Sequence, residues 1–377
     1  MEVEHIETIP VRYDIPDGHR YGNAGGLADA RSALLVRIET RDGTVGWGEG
    51  VGPPESLATI VDEVVADRVV GMDPFDAAAL HEEYYAKAYH FASSGLFQHA
   101  LSGVDLALWD LKGKAVDRPV HELLDGPSRD AVPTYASIMY FTEDDRDHEA
   151  EIQAALDEGF RAVKIKIGRG IDNDVERVSL ARDVLGEDAD LMVDVNGRYR
   201  PDQAIRSAHA IEEYDIGWYE EPVPPEDEAG YADVREAIDI PVAGGEALSG
   251  RFDFDGLFDA RCVDIAQPDL CMCGGLSEGM AIAKLGTAHN VAVTPHCWMS
   301  AVGIAASLQF AAAAPTYPFG DAVPEPIPFE VDRSENDLRT EIVTDPVDFT
   351  GGEVAIPEGP GLGVTVDEGT VSDYRID

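Results

Sequence analysis

The chain has 377 residues, 44% of them hydrophobic, enough for one large domain or two modest ones with a sizeable core. Its 73 acidic residues against 28 basic ones, only six of them lysine, give a formal charge of −45 and fit a salt-adapted source. A field of that sign repels nucleic acid and anionic membranes, and the regular apolar segments below argue against disorder.

The first residues, Met1-Glu2-Val3-Glu4, show neither a basic nor an apolar stretch of the secretory kind. No apolar run is long enough to span a membrane, so a cytoplasmic protein is expected. Residues 3–13 and 32–40 read as strands, and Asp42-Gly43 as the turn into Val45-Gly46-Trp47-Gly48-Glu49. The glycine-rich loop 19–26 lacks the strand–helix setting of a phosphate loop and reads as a flexible loop or a lid. Residues 55–70, 75–90 and 95–116 have helical periodicity, the last with an apolar stripe of Leu101, Val104, Leu108 and Leu111 beside Trp109. An α+β domain ending near residue 125 follows from this order.

From about residue 130 strands alternate with helices. Strands read at 132–137, 162–167, 191–195, 217–219, 242–244, 262–266 and 291–294, with helices such as 149–158, 201–214 and 277–289 between them. Seven or eight such units predict an α/β fold, a (β/α)8-type TIM barrel over 126–320, with a doubly wound sheet as the other candidate. The alanine-rich stretch 301–314 reads as a buried helix. The section 321–377, rich in proline and acid, is expected to supply the last barrel strand and return to the first domain. Cys262, Cys271, Cys273 and Cys297 lack structural zinc spacing and are expected as reduced thiols.

Chemistry in such barrels gathers at the C-terminal ends of the strands. Those ends carry Ser137, Lys164 with Lys166, Asp194 with Asn196, Glu220, Glu246, Asp269 and His296. Lys164 and Lys166 flank one isoleucine and so share a face of their strand; in water at a sheet edge the pair is unremarkable, but inside a barrel it needs counter-charge. Asp194, Glu220 and Glu246 stand 26 and 26 residues apart, one barrel unit each. Any one acid in so acidic a chain is most simply a surface group. Three at this spacing, each after an apolar run, form a hard oxygen site suited to Mg2+. Asp269 and His296, at successive strand ends, place a carboxylate where it would orient an imidazole as general base.

Taken in order, Lys164-Ile165-Lys166, Asp194-Val195-Asn196, Glu220-Glu221-Pro222, Gly244-Gly245-Glu246, the Asp269 segment and Pro295-His296 resemble the enolase superfamily, mandelate racemase subgroup. The likeness runs from Thr44–Glu49, a capping-domain signature, to 357–363. Residues 266–275 and the segment around Glu330 look like the branch that acts on D-galactarolactone as cycloisomerases. The resemblance implies a barrel with an α+β cap and Mg2+ on Asp194, Glu220 and Glu246. It implies Lys166 as base on one substrate face, and His296, oriented by Asp269, on the other. It implies Lys164 on the substrate carboxylate and a final-strand acid beside it. Counting from His296 gives Asp321 for that acid, whereas the local pattern favours Glu330, which we adopt; the disagreement implies an insertion.

The reaction so implied removes a proton alpha to the carboxylate of a small anionic sugar acid or its lactone, through an ene-diolate. β-Elimination then gives a 2-keto-3-deoxy acid. A racemase or epimerase of a 2-hydroxy acid would use Lys166 and His296 without elimination. A Schiff-base aldolase or a non-catalytic sugar-acid binder are the remaining readings. Asn196, Ser137, His19 and Tyr21 are candidate substrate contacts, and a homo-oligomer is expected.

Overall fold

In the computed structural model, which describes residues 1–144, 146–315 and 328–376, the chain opens as an antiparallel meander. Strand β1 (Val3–Asp14) runs into a short hairpin, β2 (Tyr21–Asn23) and β3 (Gly26–Ala28), before β4 (Ala30–Thr40) and β5 (Val45–Gly50). β4 lies between β1 and β5, joined by the turn at Asp42-Gly43. The helix Leu96–Val116 packs directly on β5. A Cβ on Gly48 would run into the carbonyl of Gly103, which is why the Trp47-Gly48-Glu49 signature carries glycine there. Leu101, Val104, Leu108 and Leu111 are fully buried in the apolar cluster this helix makes with Leu34, Val36 and Ile38.

The second section is a curled parallel sheet flanked by helices. Its strands are β6 (Ala131–Ile138), β8 (Ala162–Lys166), β9 (Asp190–Asp194), β10 (Ile216–Glu220), β11 (Val242–Gly244), β12 (Ile265–Ala266), β13 (Ala292–Val293) and β14 (Phe329–Asp332). A two-residue strand, β7 (Phe141–Thr142), leaves this sheet to pair with β2. The ladder is continuous in the order β13-β12-β11-β10-β9-β8-β6-β14.

The expected (β/α)8-type barrel is thus present, with one departure. Among the described residues no ladder joins β13 to β14. β13 is two residues long and Pro295 follows shortly after, so that edge lacks a donor; Pro328 removes another before β14. Side chains span the seam instead. Thr294 Oγ1 donates to the Pro328 carbonyl at 3.2 Å, and the Cys297 amide donates to Glu330 Oε2 at 3.0 Å.

β15 (Glu353–Ala355) pairs antiparallel with β6, and the amide of Ile376 donates to the carbonyl of Pro10 in β1. The helix Ala301–Ala313 is almost wholly buried, as the alanine-rich reading expected. The four cysteines are unpaired and buried. Among the described residues, no helix is long and apolar enough to cross a membrane.

Candidate active site

Strand alternation sets the site. Lys164 and Lys166 both point into the curl of the sheet from β8, one pleat apart. Lys164 is wholly enclosed, its Nζ 2.5 Å from Glu220 Oε1 and 2.8 Å from Glu330 Oε1. Burial opposes its charge, but Glu220 and Glu330 outweigh that and raise its pKa well above the ordinary lysine value. Lys166, nearer the mouth, pairs with Asp194. Burial opposes its charge too, Asp194 favours it and Lys164 resists it, and the result is again raised. The pair is therefore tolerated because each ammonium has its own carboxylate from a neighbouring strand.

Asp194, Glu220 and Glu246 stand at the ends of, or just beyond, β9, β10 and β11. Each offers an oxygen within 4.8 Å of the others. Glu220 is fixed from three sides: besides Lys164 on Oε1, Trp218 Nε1 and Gln267 Nε2 donate to Oε2 at 2.8 and 2.7 Å. The Asn196 amide donates to Asp194 Oδ1 at 2.8 Å, from a backbone held at a φ of 50°. Glu221, also left-handed at 43°, is buried beside them. Burial, then Glu246, Asp194 and Glu220, push its carboxyl well above the ordinary range. The mouth thus concentrates carboxyl groups beyond what two lysines balance. Convergent hard oxygens with surplus negative charge fit Mg2+. A second group, Asp255, Asp259 and His289, lies on the outer helices away from the strand ends.

On the far side of the mouth, His296 Nδ1 lies 2.9 Å from Asp269 Oδ2, and the Cys271 amide holds Asp269 Oδ1 at 2.7 Å. The other imidazole nitrogen is 3.5 Å from Glu246 Oε2. Burial opposes protonation of His296, but Glu246 and the Asp269 hydrogen bond raise it to about 10.

A cavity of about 260 Å³ opens beside these groups, lined by Glu246 of the trio but not by Asp194 or Glu220. Lys166, Asn196, Glu246, Asp269, His296 and Glu330 form its strand-end wall, and the β2–β3 hairpin closes over it. Lys164 is not in that wall; a substrate carboxylate reaches it only if Glu220 or Glu330 gives way. The remaining sequence candidates are placed as follows. Asn196 lines the cavity, with its Oδ1 enclosed and unpartnered among the described residues. Ser137 is buried under the mouth, accepting from Tyr140 OH at 3.3 Å. Tyr21 is turned away, donating to the Glu335 carbonyl at 2.7 Å, and His19 is largely exposed with Nδ1 2.8 Å from Glu335 Oε2. The pairing of Tyr21 with Thr142 in β7 sets that orientation. From the same loop it is Gly22, Asn23 and Gly26 that reach the cavity. Asp321 lies outside the described residues.

Several contributors carry no signal in the sequence. Gln267 and Trp218 orient Glu220. Trp298 lines the cavity with the Arg31 guanidinium 3.4 Å over its ring, and Arg31 in turn reaches Asp332 at 3.4 Å.

Two family models match the chain: "Mandelate racemase / muconate lactonizing enzyme, N-terminal domain" over residues 23–125 and "Enolase C-terminal domain-like" over 147–370. The D-galactarolactone cycloisomerase of Agrobacterium fabrum is 40% identical over 100% of this chain and 99% of its own length. The arabinonate dehydratase of Saccharolobus solfataricus is 29% identical, covering 93% of this chain and 96% of its own. The structure of a racemase from Streptomyces coelicolor with bound magnesium superposes with a TM-score of 0.86 at 28% identity, over 99% of this chain and 100% of the other.

Proposed function

The chain belongs to the mandelate racemase / muconate lactonizing enzyme family of the enolase superfamily, and from that premise we propose that it eliminates the β-oxygen of a sugar acid or sugar-acid lactone. The observation that carries the reading is positional. Lys166 and His296 sit at opposite ends of the run β8-β9-β10-β11-β12-β13, with Asp194, Glu220 and Glu246 on the strands between them. Both line one cavity. A substrate held over the carboxylates presents one face to each base.

Asp194, Glu220 and Glu246 would hold Mg2+, consistent with the magnesium in the similar racemase structure. Bound there, the ion supplies positive charge where the substrate carboxylate gains its second negative charge. The protein's own residues do the rest. Lys166 Nζ or His296 Nε2, in its neutral form, takes the α-proton; the charge of a bound cation and of neighbouring Lys164 would favour that form of Lys166, and Asp269 on Nδ1 keeps His296 Nε2 facing the cavity. Glu330, fixed by Lys164 and the Cys297 amide, lies at the carboxylate end, and Lys164 is the counter-charge that keeps Glu330 ionised and pairs with Glu220. The β-carbon–oxygen bond then breaks, and the resulting enol takes a proton at the β-carbon to become the ketone.

If the leaving oxygen belongs to a lactone ring, it departs as a carboxylate and the reaction is an isomerisation. If it is a hydroxyl, water leaves and an acid must protonate it. Similarity to a cycloisomerase over the whole chain favours the first; similarity to an aldonate dehydratase keeps the second in play. The test is a panel of aldonic and aldaric acids and their lactones with Mg2+ and molar KCl in D2O, followed by proton NMR. A 2-keto-3-deoxy acid carrying deuterium at the β-carbon is expected. Neither turnover nor α-proton exchange on any member, with Mg2+ bound, would sink the reading.

A further inference from the structure

We infer that the cavity accepts a substrate with a single carboxylate and a neutral far end, so that sugar-acid lactones and aldonic acids react while open aldaric dianions are refused; this rests on the function proposed above. The cavity's charge is divided between two ends. Among the described residues its cationic side chains, Lys166 and His296, lie at the strand ends, each against a carboxylate of the convergent trio. The opposite wall consists of Gly22, Asn23, Gly26, Ala28, Val51 and Met272, with Trp298 and Tyr140 at the side. None of these can pair with an anion through a charge.

Among the described residues, no further cation lines the cavity. Arg31 lies behind the indole of Trp298 and is engaged by the Trp298 carbonyl at 2.5 Å, Tyr21 OH at 3.2 Å and Asp332 at 3.4 Å. Arg198 lies across Gly25, an exposed residue of the hairpin, and is itself exposed. Arg20 pairs with Asp17 and Glu143, and His19 with Glu335. Burial lowers the pKa of His99 behind Val51, which favours its neutral form, and its Nδ1 is 2.8 Å from the Val51 carbonyl. Residues 316–327, Thr-Tyr-Pro-Phe-Gly-Asp-Ala-Val-Pro-Glu-Pro-Ile, contain no Lys, Arg or His at all. A second carboxylate under the hairpin would therefore be buried without a charged partner, which is costly.

What that region does offer is neutral polarity, the side-chain amide of Asn23. A lactone carbonyl or a sugar hydroxyl pairs with an amide without any charge. In ring opening, the far carboxylate appears only as the β-carbon–oxygen bond breaks, so the buried charge is a property of the product and favours its release.

The experiment compares three compounds of one configuration: the open aldarate, its monolactone and the matching aldonate. Each is assayed for kcat/KM with Mg2+ in molar KCl, where the screening length is about 3 Å and the acidic surface no longer biases encounter. The better monoanion should exceed the dianion by roughly 30-fold or more, the factor that about 2 kcal/mol for one unpaired buried charge converts to. A smaller ratio overturns the inference. If none of the three reacts or exchanges its α-proton, the proposed function itself falls instead. Ala28→Lys, or Val51→Lys should the first fail to fold, puts an ammonium on the neutral wall and should cut the ratio by about tenfold. An unchanged ratio in a folded, active variant also overturns it.

Discussion

Replacing Lys164 by Met tests whether the buried lysine is structural counter-charge. Its Nζ is fully enclosed and touches one oxygen of Glu220 at 2.5 Å and one of Glu330 at 2.8 Å. Burial pushes the Glu330 carboxyl up, yet Lys164, His296 and Lys166 hold it down to about 2. Methionine keeps the volume and deletes the charge, leaving two buried carboxylates facing each other. Removing one partner of a buried ion pair costs about 3–5 kcal/mol. With a urea m-value of about 3 kcal/mol/M, the unfolding midpoint should fall by roughly 1–1.7 M in molar KCl with EDTA. Mg2+ should recover more stability in the variant than in the wild type, because the variant's mouth carries one more net negative charge to attract it. A loss below about 1 kcal/mol would refute the reasoning, since it would show that the two acids rearrange cheaply. An equal Mg2+ response in both proteins would refute the placement of Lys164 beside the proposed metal ligands.

Asp269→Asn should leave His296 in place but with its tautomer no longer dictated by a carboxylate on Nδ1; kcat should drop by roughly two to four orders of magnitude with little change in Tm. Loss of stability comparable to the loss of rate would instead mark Asp269 as a packing residue. Asp332 is buried; burial raises its carboxyl, but Arg339 and Arg31 bring it from 3.8 to about 2. A depressed pKa contributes stability above 3.8 that is lost as pH falls towards 2. Asp332→Asn should therefore cost about 2 kcal/mol at neutral pH, a gap that narrows below about pH 4; urea midpoints across pH would show a constant gap if the pairing were unimportant. Glu49, buried at the end of β5, accepts from the Ser300 amide at 3.0 Å, its hydroxyl at 2.5 Å and the Gly303 amide at 2.8 Å. It thus caps the helix Ala301–Ala313 from another sheet. Glu49→Ala should cost about 2–4 kcal/mol by thermal melting, and a cost under half that would mean water replaces the cap.

Position along the chain was legible where geometry is local. A parallel strand followed by a returning helix consumes a similar length each time, so Asp194, Glu220 and Glu246 recur at equal spacing and meet at one mouth. The same period-two rule put Lys164 and Lys166 on one face, and they do share it. It could not say that they occupy different depths, because depth depends on Glu220 and Glu330 arriving from other strands. The loop over the mouth was legible as glycine-rich, but its facing residues were not. Pairing of β2 with β7 turns Tyr21 towards Glu335 and leaves Gly22, Asn23 and Gly26 over the cavity.

What stayed invisible shares one cause. Gln267 matters because Glu220 stands two strands away from it in the sheet, and Trp298 matters because Arg31 lies over its ring. Neither residue type is chemically marked, and each partner is tens to hundreds of residues away in sequence. The reactive groups of such a barrel are charged and recur with its period, so sequence reveals them. The groups that choose the substrate are neutral, small and gathered from the cap, the hairpin and the loop after β13. That division bears on specificity: with the reactive end fixed by acids and lysines, the substrate's far end is selected by the absence of charge under β2 and β3. A single lysine at Ala28 or Val51 changes that selection without touching the strand ends, so acid-sugar preference and proton chemistry should be separable by mutation in this chain.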